Sequence, residues 1–389
     1  MIDPADFVRG LTAGGVRRVA GVPCSYLTPL IDTVIADPGV DYLSAPNEGD
    51  AVAAAAGSAI GGEPTAVLMQ NSGLGNAVNP LASLVHPAGV GMLLIVTLRG
   101  DPAGNDEPQH CLMGRATLPL LETLDIPART LHAGDTDWAR TLSSALADAA
   151  EGRTTAIVVR KGTFGPAPRH ETTRGTPVRR PGPPGRCHRV GARPAAPSGA
   201  PSRQAALRAI VDDPTLPRAI IIGTTGHTGR ELYAIADRPN HLYLVGAMGC
   251  ASAVGLGLAR ACPNRRVIIV DGDGAALMRL GNLAFLGAYG GGNVVHIVLD
   301  NGVHASTGGQ ATLAGAVSFP GLAAACGYDA ILEGTDPRVI RAALDRAPGA
   351  GPTFVHLPIA ATTGVDLPRP TLTPDAIVTR LRAYVRSAA

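Results

Sequence analysis

Uninterrupted runs of valine, isoleucine and leucine recur along the chain, each followed by a polar, glycine-rich segment and then by a stretch long enough for a helix. In the first half the runs are RRVAGV (17–22), VDYLSA (40–45), TAVLMQ (65–70), GMLLIVTL (91–98) and TTAIVV (154–159). The second half repeats the scheme with RAIIIG (218–223), HLYLVG (241–246), RVIIVD (266–271), NVVHIVL (293–299), DAILE (329–333) and TFVHLP (353–358). Continuous apolar runs mark strands covered on both faces, and their alternation with helices marks a parallel sheet. Helices are expected near 26–36, 48–60, 75–85, 115–124 and 136–150, then near 203–212, 228–236, 250–261, 275–289, 319–326, 336–346 and 374–387. The pattern predicts an α/β chain with two doubly wound parallel-sheet domains of near-equal size.

The alternation stops once. Residues 166–203, PAPRHETTRGTPVRRPGPPGRCHRVGARPAAPSGAPSR, hold nine prolines, eight arginines and almost no large apolar side chain. Such a stretch cannot bury enough surface to offset the entropy of ordering it. It is expected to link a domain at 1–165 to a second at 204–389. A chain of 389 residues with 46% hydrophobic content is long enough for two cores.

With 3% aromatic residues there is little from which to build stacking platforms, which argues against a nucleic-acid groove. The net charge of +2 conceals a division, because outside the linker the chain carries 25 basic and 30 acidic residues. The linker's arginines have no interleaved aromatics and read as a solvated connector rather than a polyanion-binding tail. Six cysteines are widely spaced with no CxxC pair, which suits a reducing cytoplasm. The opening residues MIDPADFVRGL lack the features of an export signal, and no apolar stretch reaches membrane-spanning length. A cytoplasmic protein with neither a nucleic-acid nor a membrane partner is expected.

In doubly wound sheets, function gathers at the carboxyl ends of the strands. After the run at 266–271 comes Gly272-Asp273-Gly274-Ala275, and Asn301 follows Asp273 by 28 residues, room for one helix and one strand. That spacing brings a carboxylate and a carboxamide to neighbouring strand ends, where hard oxygen donors can share Mg²⁺, with the Val303 carbonyl as a third oxygen. Gly274 and Ala275 open a helix whose N–H groups can receive a phosphate. A Gly-Asp-Gly turn alone is common, so the spacing carries the weight. A nicotinamide enzyme is disfavoured, since no strand end shows G-x-G-x-x-G.

With GDG, a helix, a strand and then Asn, the chain resembles thiamine-diphosphate-dependent enzymes. The resemblance implies that Asp273, Asn301 and the Val303 carbonyl hold Mg²⁺, that Gly272, Gly274 and Ala275 border the diphosphate, and that Met248 in GAMG wedges the thiazolium. It also implies that Glu48, in APNEGDAVAAAAG, is the acid that hydrogen-bonds the aminopyrimidine and so promotes loss of the thiazolium C2 proton. That task calls for a carboxyl whose pKa burial has raised. By themselves, Met248 reads as core packing and Glu48 equally as a helix cap.

A narrower likeness is to the phosphonopyruvate and sulfopyruvate decarboxylases, carried by GVPCSYLTPL (21–30), NEGDA (47–51), QNSGLGNAVNPL (70–81), DEPQH (106–110), GRELY (229–233) and DNGVHASTGGQ (300–310). It implies two thiamine-diphosphate-binding domains with no middle domain. Ser25 is then expected at the substrate carboxylate, His110 as proton relay, and Asp106, Glu107 and Gln109 as residues ordering that loop at the substrate. Arg99, Arg115 and His304 are candidate phosphonate partners, though each reads equally as a surface residue. Thr224 and Thr225 are expected at the diphosphate or as helix caps, and Asn71, Gly73 and Asn76 beside the cofactor ring or in a tight turn. Ala305 stands where the family reads an acid.

The implied reaction is decarboxylation of 3-phosphonopyruvate to phosphonoacetaldehyde and CO₂ in phosphonate natural-product biosynthesis. Sulfopyruvate, or another small 2-oxo acid, is the alternative, and the fused single chain favours the first. The resemblance further implies a homodimer or homotetramer in which Glu48 and Asp273 of one site come from different chains. A non-catalytic relative is the remaining class, and the joint presence of Glu48, Asp273 and Asn301 argues against it.

Overall fold

A computed structural model describes residues 1–167, 199–214, 216, 218–362, 364 and 366–387. The chain divides into two compact units, Met1–Val178 and Arg179–Ala389. The linker expected at 166–203 falls largely outside the described residues, so the domain limits 1–165 and 204–389 stay a proposal.

The first unit runs α1 (Pro4–Ala13), β1 (Arg18–Gly21), α2 (Thr28–Ala36), β2 (Asp41–Ser44), α3 (Glu48–Ile60), β3 (Thr65–Met69), α4 (Leu74–Pro80), β4 (Leu93–Thr97), α5 (Cys111–Thr123), β5 (Ala128–Leu131), α6 (Trp138–Ala150) and β6 (Thr155–Val159). The second runs α7 (Arg203–Val211), β7 (Ile220–Gly223), α8 (His227–Ile235), β8 (His241–Tyr243), α9 (Ala251–Ala261), β9 (Val267–Gly272), α10 (Asp273–Met278), α11 (Gly281–Tyr289), β10 (Val294–Asp300), β11 (Val303–His304), β12 (Gln310–Ala311), α12 (Phe319–Ala325), β13 (Ala330–Glu333), α13 (Arg338–Leu344), β14 (Thr353–Pro358) and α14 (Pro374–Ser387).

Each unit holds one six-stranded sheet, β2-β1-β3-β4-β6-β5 in the first and β13-β14-β10-β9-β7-β8 in the second. Counted within its own unit, each has the same strand order, and every pair in the two sheets is parallel. The order reverses between β1 and β3 and between β7 and β9, and such reversals open a crevice at the strand carboxyl ends.

The central strands β3, β4 and β6 are buried at every residue, as their unbroken apolar runs require. The first core gathers Phe7, Leu27, Leu30, Tyr42, Leu68 and Ile157, each large apolar side chain contributing about 1.5–3 kcal/mol by leaving water. The α3 segment EGDAVAAAAGSAI is buried on every face, which its alanines permit because small side chains let neighbours approach closely. Among the described residues no helix is long and apolar enough to cross a membrane.

Five departures from the expected elements stand out. The helix α1 precedes the strand–helix alternation, yet its start is written in Asp3, whose carboxylate accepts from the Ala5 N–H at 2.7 Å, and in Pro4. Strand β5 lies at the sheet edge, where ARTL leaves only Leu131 fully buried and so shows no apolar run. The helix expected at 275–289 is two helices, broken at Arg279, whose φ of −130° and ψ of 59° are not helical. The expected helix 75–85 is α-helical only to Pro80 and continues as a π-helical turn over Leu81–Val85. The two-residue strands β11 and β12 pair antiparallel and are too short to leave a pattern in the sequence.

Candidate active site

Glu48 begins α3 directly after the β2 turn, where the Asn47 side chain caps the helix by accepting from the Asp50 N–H. The carboxyl group of Glu48 is 8% exposed as part of its residue and receives a hydrogen bond from Asn76 Nδ2 at 2.9 Å. Gly73 lies against the same carboxylate: a Cβ there would fall 2.1 Å from it, so any larger residue would displace the Glu48 carboxyl. Three of the expected residues, Glu48, Gly73 and Asn76, therefore meet. Asn71 is engaged elsewhere, donating to the Arg99 carbonyl at 2.8 Å and to Thr117 Oγ1 at 3.0 Å. It braces the loop after β4 rather than offering its amide to a ligand.

That loop is tied down by Asp106. Its carboxylate takes two hydrogen bonds from Arg99, at 2.7 and 2.6 Å, and others from the Gly100 and Glu107 N–H groups and the Tyr26 hydroxyl. The Arg99 guanidinium, together with those N–H and hydroxyl donors, holds Asp106 well below the usual carboxylate range, against the opposing effect of burial. Arg99 also reaches Ser25 Oγ at 3.2 Å and lies 4.4 Å from the centre of the Tyr26 ring. Ser25 and Arg99 are thus brought together. Gln109, His110 and Arg115 stand on the following turn and on α5, and their side chains make no hydrogen bond or ion pair among the described residues.

Asp106 and Arg99 are 8% and 14% exposed at their side chains. Replacing Asp106 by alanine leaves Arg99 without its counter-charge and is expected to cost about 3 kcal/mol, read from denaturant unfolding at pH 7. Because folding lowers the pKa of Asp106, its contribution is in place above about pH 4 and fades below that. The difference between wild type and Asp106→Ala should shrink accordingly in acid.

In the second unit, Asp273 is 3% exposed and its Oδ2 accepts from the Thr312 hydroxyl. Burial raises Asp273 above the ordinary carboxylate range, the Thr312 bond opposes this, and Asp300 adds to it. A carboxylate disfavoured by burial gains most from a cation. Asn301 Oδ1 accepts from the Val303 N–H at 3.2 Å, which turns the chain so that 301–303 follow β10 as a tight loop. Among the described residues no three His, Cys, Asp or Glu side chains gather to hold a metal. A set of one carboxylate, one carboxamide and one carbonyl lies outside that chemistry and suits Mg²⁺, which keeps water and phosphate as its other ligands.

Around this point the residues divide. A Cβ on Gly274 would come 2.6 Å from His304, so the imidazole packs on the glycine of the GDG turn. Thr224 is 2% exposed and its hydroxyl has no partner among the described residues, whereas the Thr225 hydroxyl donates to the Val245 carbonyl at 3.1 Å. Thr224, rather than Thr225, has a donor to offer. Met248 is carried between two left-handed residues, Ala247 at φ 50° and Gly249 at φ 86°. A non-glycine residue held there stores about 1–3 kcal/mol, a cost met mainly where function dictates the backbone.

Behind the two metal-candidate loops lies a repeated pair. On β9, Asp271 faces His296 of β10 at 3.6 Å, and on β10, Asp300 meets His356 of β14 at 3.0 Å. Each histidine stands two residues short of the aspartate's register partner, and each is held from its other nitrogen, His296 by Tyr328 at 2.9 Å and His356 by Glu333 at 3.2 Å. His356 is hydrogen-bonded to Asp300, next to Asn301, whereas the facing atoms of Asp271 and His296 make no hydrogen bond among the described residues. Sequence patterns passed over them, and over Tyr26, Thr312 and His227, whose buried Nδ1 has no partner among the described residues. The aspartate–histidine spacing was readable once strand register was known, while Thr312 reaches Asp273 only through the β11–β12 turn.

Residues 5–113 match the family described as thiamine pyrophosphate enzyme, N-terminal TPP binding domain, and residues 222–357 match its C-terminal TPP binding domain. The chain is 47% identical to the phosphonopyruvate decarboxylase of Streptomyces viridochromogenes, over 99% of this chain and 95% of that one. It is 44% identical to the phosphonopyruvate decarboxylase of Streptomyces hygroscopicus, over 99% and 94%. The sulfopyruvate decarboxylase subunit beta of Methanothermobacter thermautotrophicus is 38% identical over 43% of this chain and 88% of its own. In fold, the chain is similar to a solved structure from Mycobacterium smegmatis described as a thiamin diphosphate-dependent enzyme, with a TM-score of 0.66 at 14% identity, covering 92% of this chain and 99% of that one. With near-full-length identity of this order and both cofactor domains present, the chain belongs to the phosphonopyruvate decarboxylase family of thiamine pyrophosphate enzymes.

Proposed function

We propose that the protein decarboxylates 3-phosphonopyruvate to phosphonoacetaldehyde and CO₂ in the cytoplasm, using thiamine diphosphate and Mg²⁺. The near-full-length likeness to phosphonopyruvate decarboxylases carries the choice of substrate. When bound, thiamine diphosphate supplies the electron sink that a 2-oxo acid lacks for losing CO₂. The chain's own residues do the rest. Glu48, held by Asn76, provides the buried carboxyl that hydrogen-bonds the cofactor's pyrimidine. Asp273, Asn301 and the Val303 carbonyl hold the metal, with the Thr224 hydroxyl beside the diphosphate. Ser25, steadied by Arg99, faces the substrate carboxylate, and His110 delivers a proton to the carbon that CO₂ leaves.

Protein incubated with cofactor, Mg²⁺ and phosphonopyruvate is expected to release CO₂, and release from sulfopyruvate should be at least about tenfold slower, in keeping with the loss of one charge in a charged recognition site. Absence of release from phosphonopyruvate, with cofactor demonstrably bound, removes this reading. Sulfopyruvate is the second reading because a subunit of that enzyme aligns with part of this chain. A shared site, with Glu48 of one chain and Asp273 of another, makes a homodimer the smallest active form.

A further inference from the structure

The chain contains 33 basic residues of the lysine and arginine type, and Lys161 is its one lysine. Wherever charge alone is needed, this sequence uses arginine. Lys161 follows β6 and lines a cavity of about 350 Å³ together with Tyr26, Asp106, His132 and Arg160, all at strand carboxyl ends of the first unit.

The charges around that cavity are mostly matched. Arg99 is bound by Asp106, Arg160 lies 3.0 Å from Asp101, and His132 lies 2.9 Å from Asp135. Lys161 has no carboxylate partner among the described residues, and its contact is with the Tyr26 ring, 5.9 Å from the centre. With the lining aspartates engaged by Arg99 and Arg160, the donor left to offer is the compact Lys161 ammonium with its three N–H groups. It would meet an oxyanion as a point charge with rotatable donors, a different geometry from the planar fork of arginine.

The cavity adjoins the residues expected at the substrate carboxylate through Tyr26. Tyr26 is the neighbour of Ser25, and Arg99 touches both. Lys161 approaches the same Tyr26 ring, 5.9 Å from its centre, so one aromatic side chain links it to the pair expected at the substrate carboxylate. Resting on the function proposed above, we propose that Lys161 and the cavity it lines receive the substrate's distal phosphonate dianion, and that Lys161 sets the preference for it.

The test uses the holoenzyme with Lys161→Met and Lys161→Arg. Both should unfold at the wild-type temperature, since Lys161 is exposed and carries no ion pair among the described residues. In Lys161→Met the KM for phosphonopyruvate should rise roughly tenfold with little change in kcat, and preference over pyruvate should fall by the same factor. Lys161→Arg should recover only part of the loss. An unchanged preference, or full recovery in Lys161→Arg, overturns the proposal. Inorganic phosphate should inhibit competitively against phosphonopyruvate, whereas noncompetitive inhibition would assign the cavity to a free anion instead and overturn the substrate role. If wild type fails to turn over phosphonopyruvate at all, the proposed function falls, and calorimetry with methylphosphonate still decides the matter of Lys161. Binding to wild type that Lys161→Met abolishes supports it, and equal or absent binding overturns it.

Discussion

Glu48→Gln is expected to yield a folded protein that binds thiamine diphosphate and turns over substrate at least about 100-fold more slowly, the lower end of what a positioned acid–base group contributes. Glutamine keeps the length of the side chain, and its carbonyl can accept the Asn76 hydrogen bond that Glu48 Oε2 receives. The space left by Gly73 is filled as before. What the amide cannot do is exchange a proton as a carboxyl does. The measurement is steady-state CO₂ release alongside calorimetric cofactor binding, and turnover near the wild-type rate would move the activating role to another group.

Asp273→Ala should weaken thiamine diphosphate binding in the presence of Mg²⁺ by at least about 100-fold, because the change removes the one carboxylate of the proposed metal site, where even an outer-layer change costs 10–100-fold. Thermal unfolding of the cofactor-free variant should match or exceed wild type, since the lost group is a carboxylate that burial disfavours. Unaltered cofactor affinity would exclude the metal assignment. The two variants also test subunit sharing. Each should be inactive alone, but when they are unfolded and refolded together, mixed dimers gain one intact site if Glu48 and Asp273 of a site come from different chains. About a quarter of wild-type activity should return. If both residues of a site belong to one chain, nothing returns.

Much of the candidate site is legible in the sequence. Glu48, Asp273, Asn301 and Thr224 all follow apolar runs, and in a parallel sheet the residue after the run is delivered to the functional edge. Gly73 and Asn76 were legible as a turn beside the cofactor domain, and their meeting with Glu48 required the packing of α4 on α3. Arg99 was expected to grip substrate, but its guanidinium is already matched by Asp106, which shifts that task toward Lys161. Asn71 and Thr225 look like binding groups in sequence and are occupied by backbone carbonyls in the fold. A polar residue's partner is a matter of what the chain folds against it, and sequence distance does not reveal that.

The linear order of residues was enough for the α/β class, the paired sheets and the cofactor chemistry, because burial on both faces imposes a periodicity and the strand ends inherit a place from it. Which cation and which hydroxyl lack a partner among the described residues, and which aspartate faces which histidine, came from tertiary packing alone. Among the described residues Lys161 has no carboxylate partner, because Asp106 is engaged by Arg99 and Asp101 by Arg160. Asp273 is held above the ordinary carboxylate range chiefly by burial, with Asp300 adding to it and Thr312, 39 residues on, opposing it. Electrostatic free energy depends on distance and burial through space, and neither is a property of a residue's position along the chain.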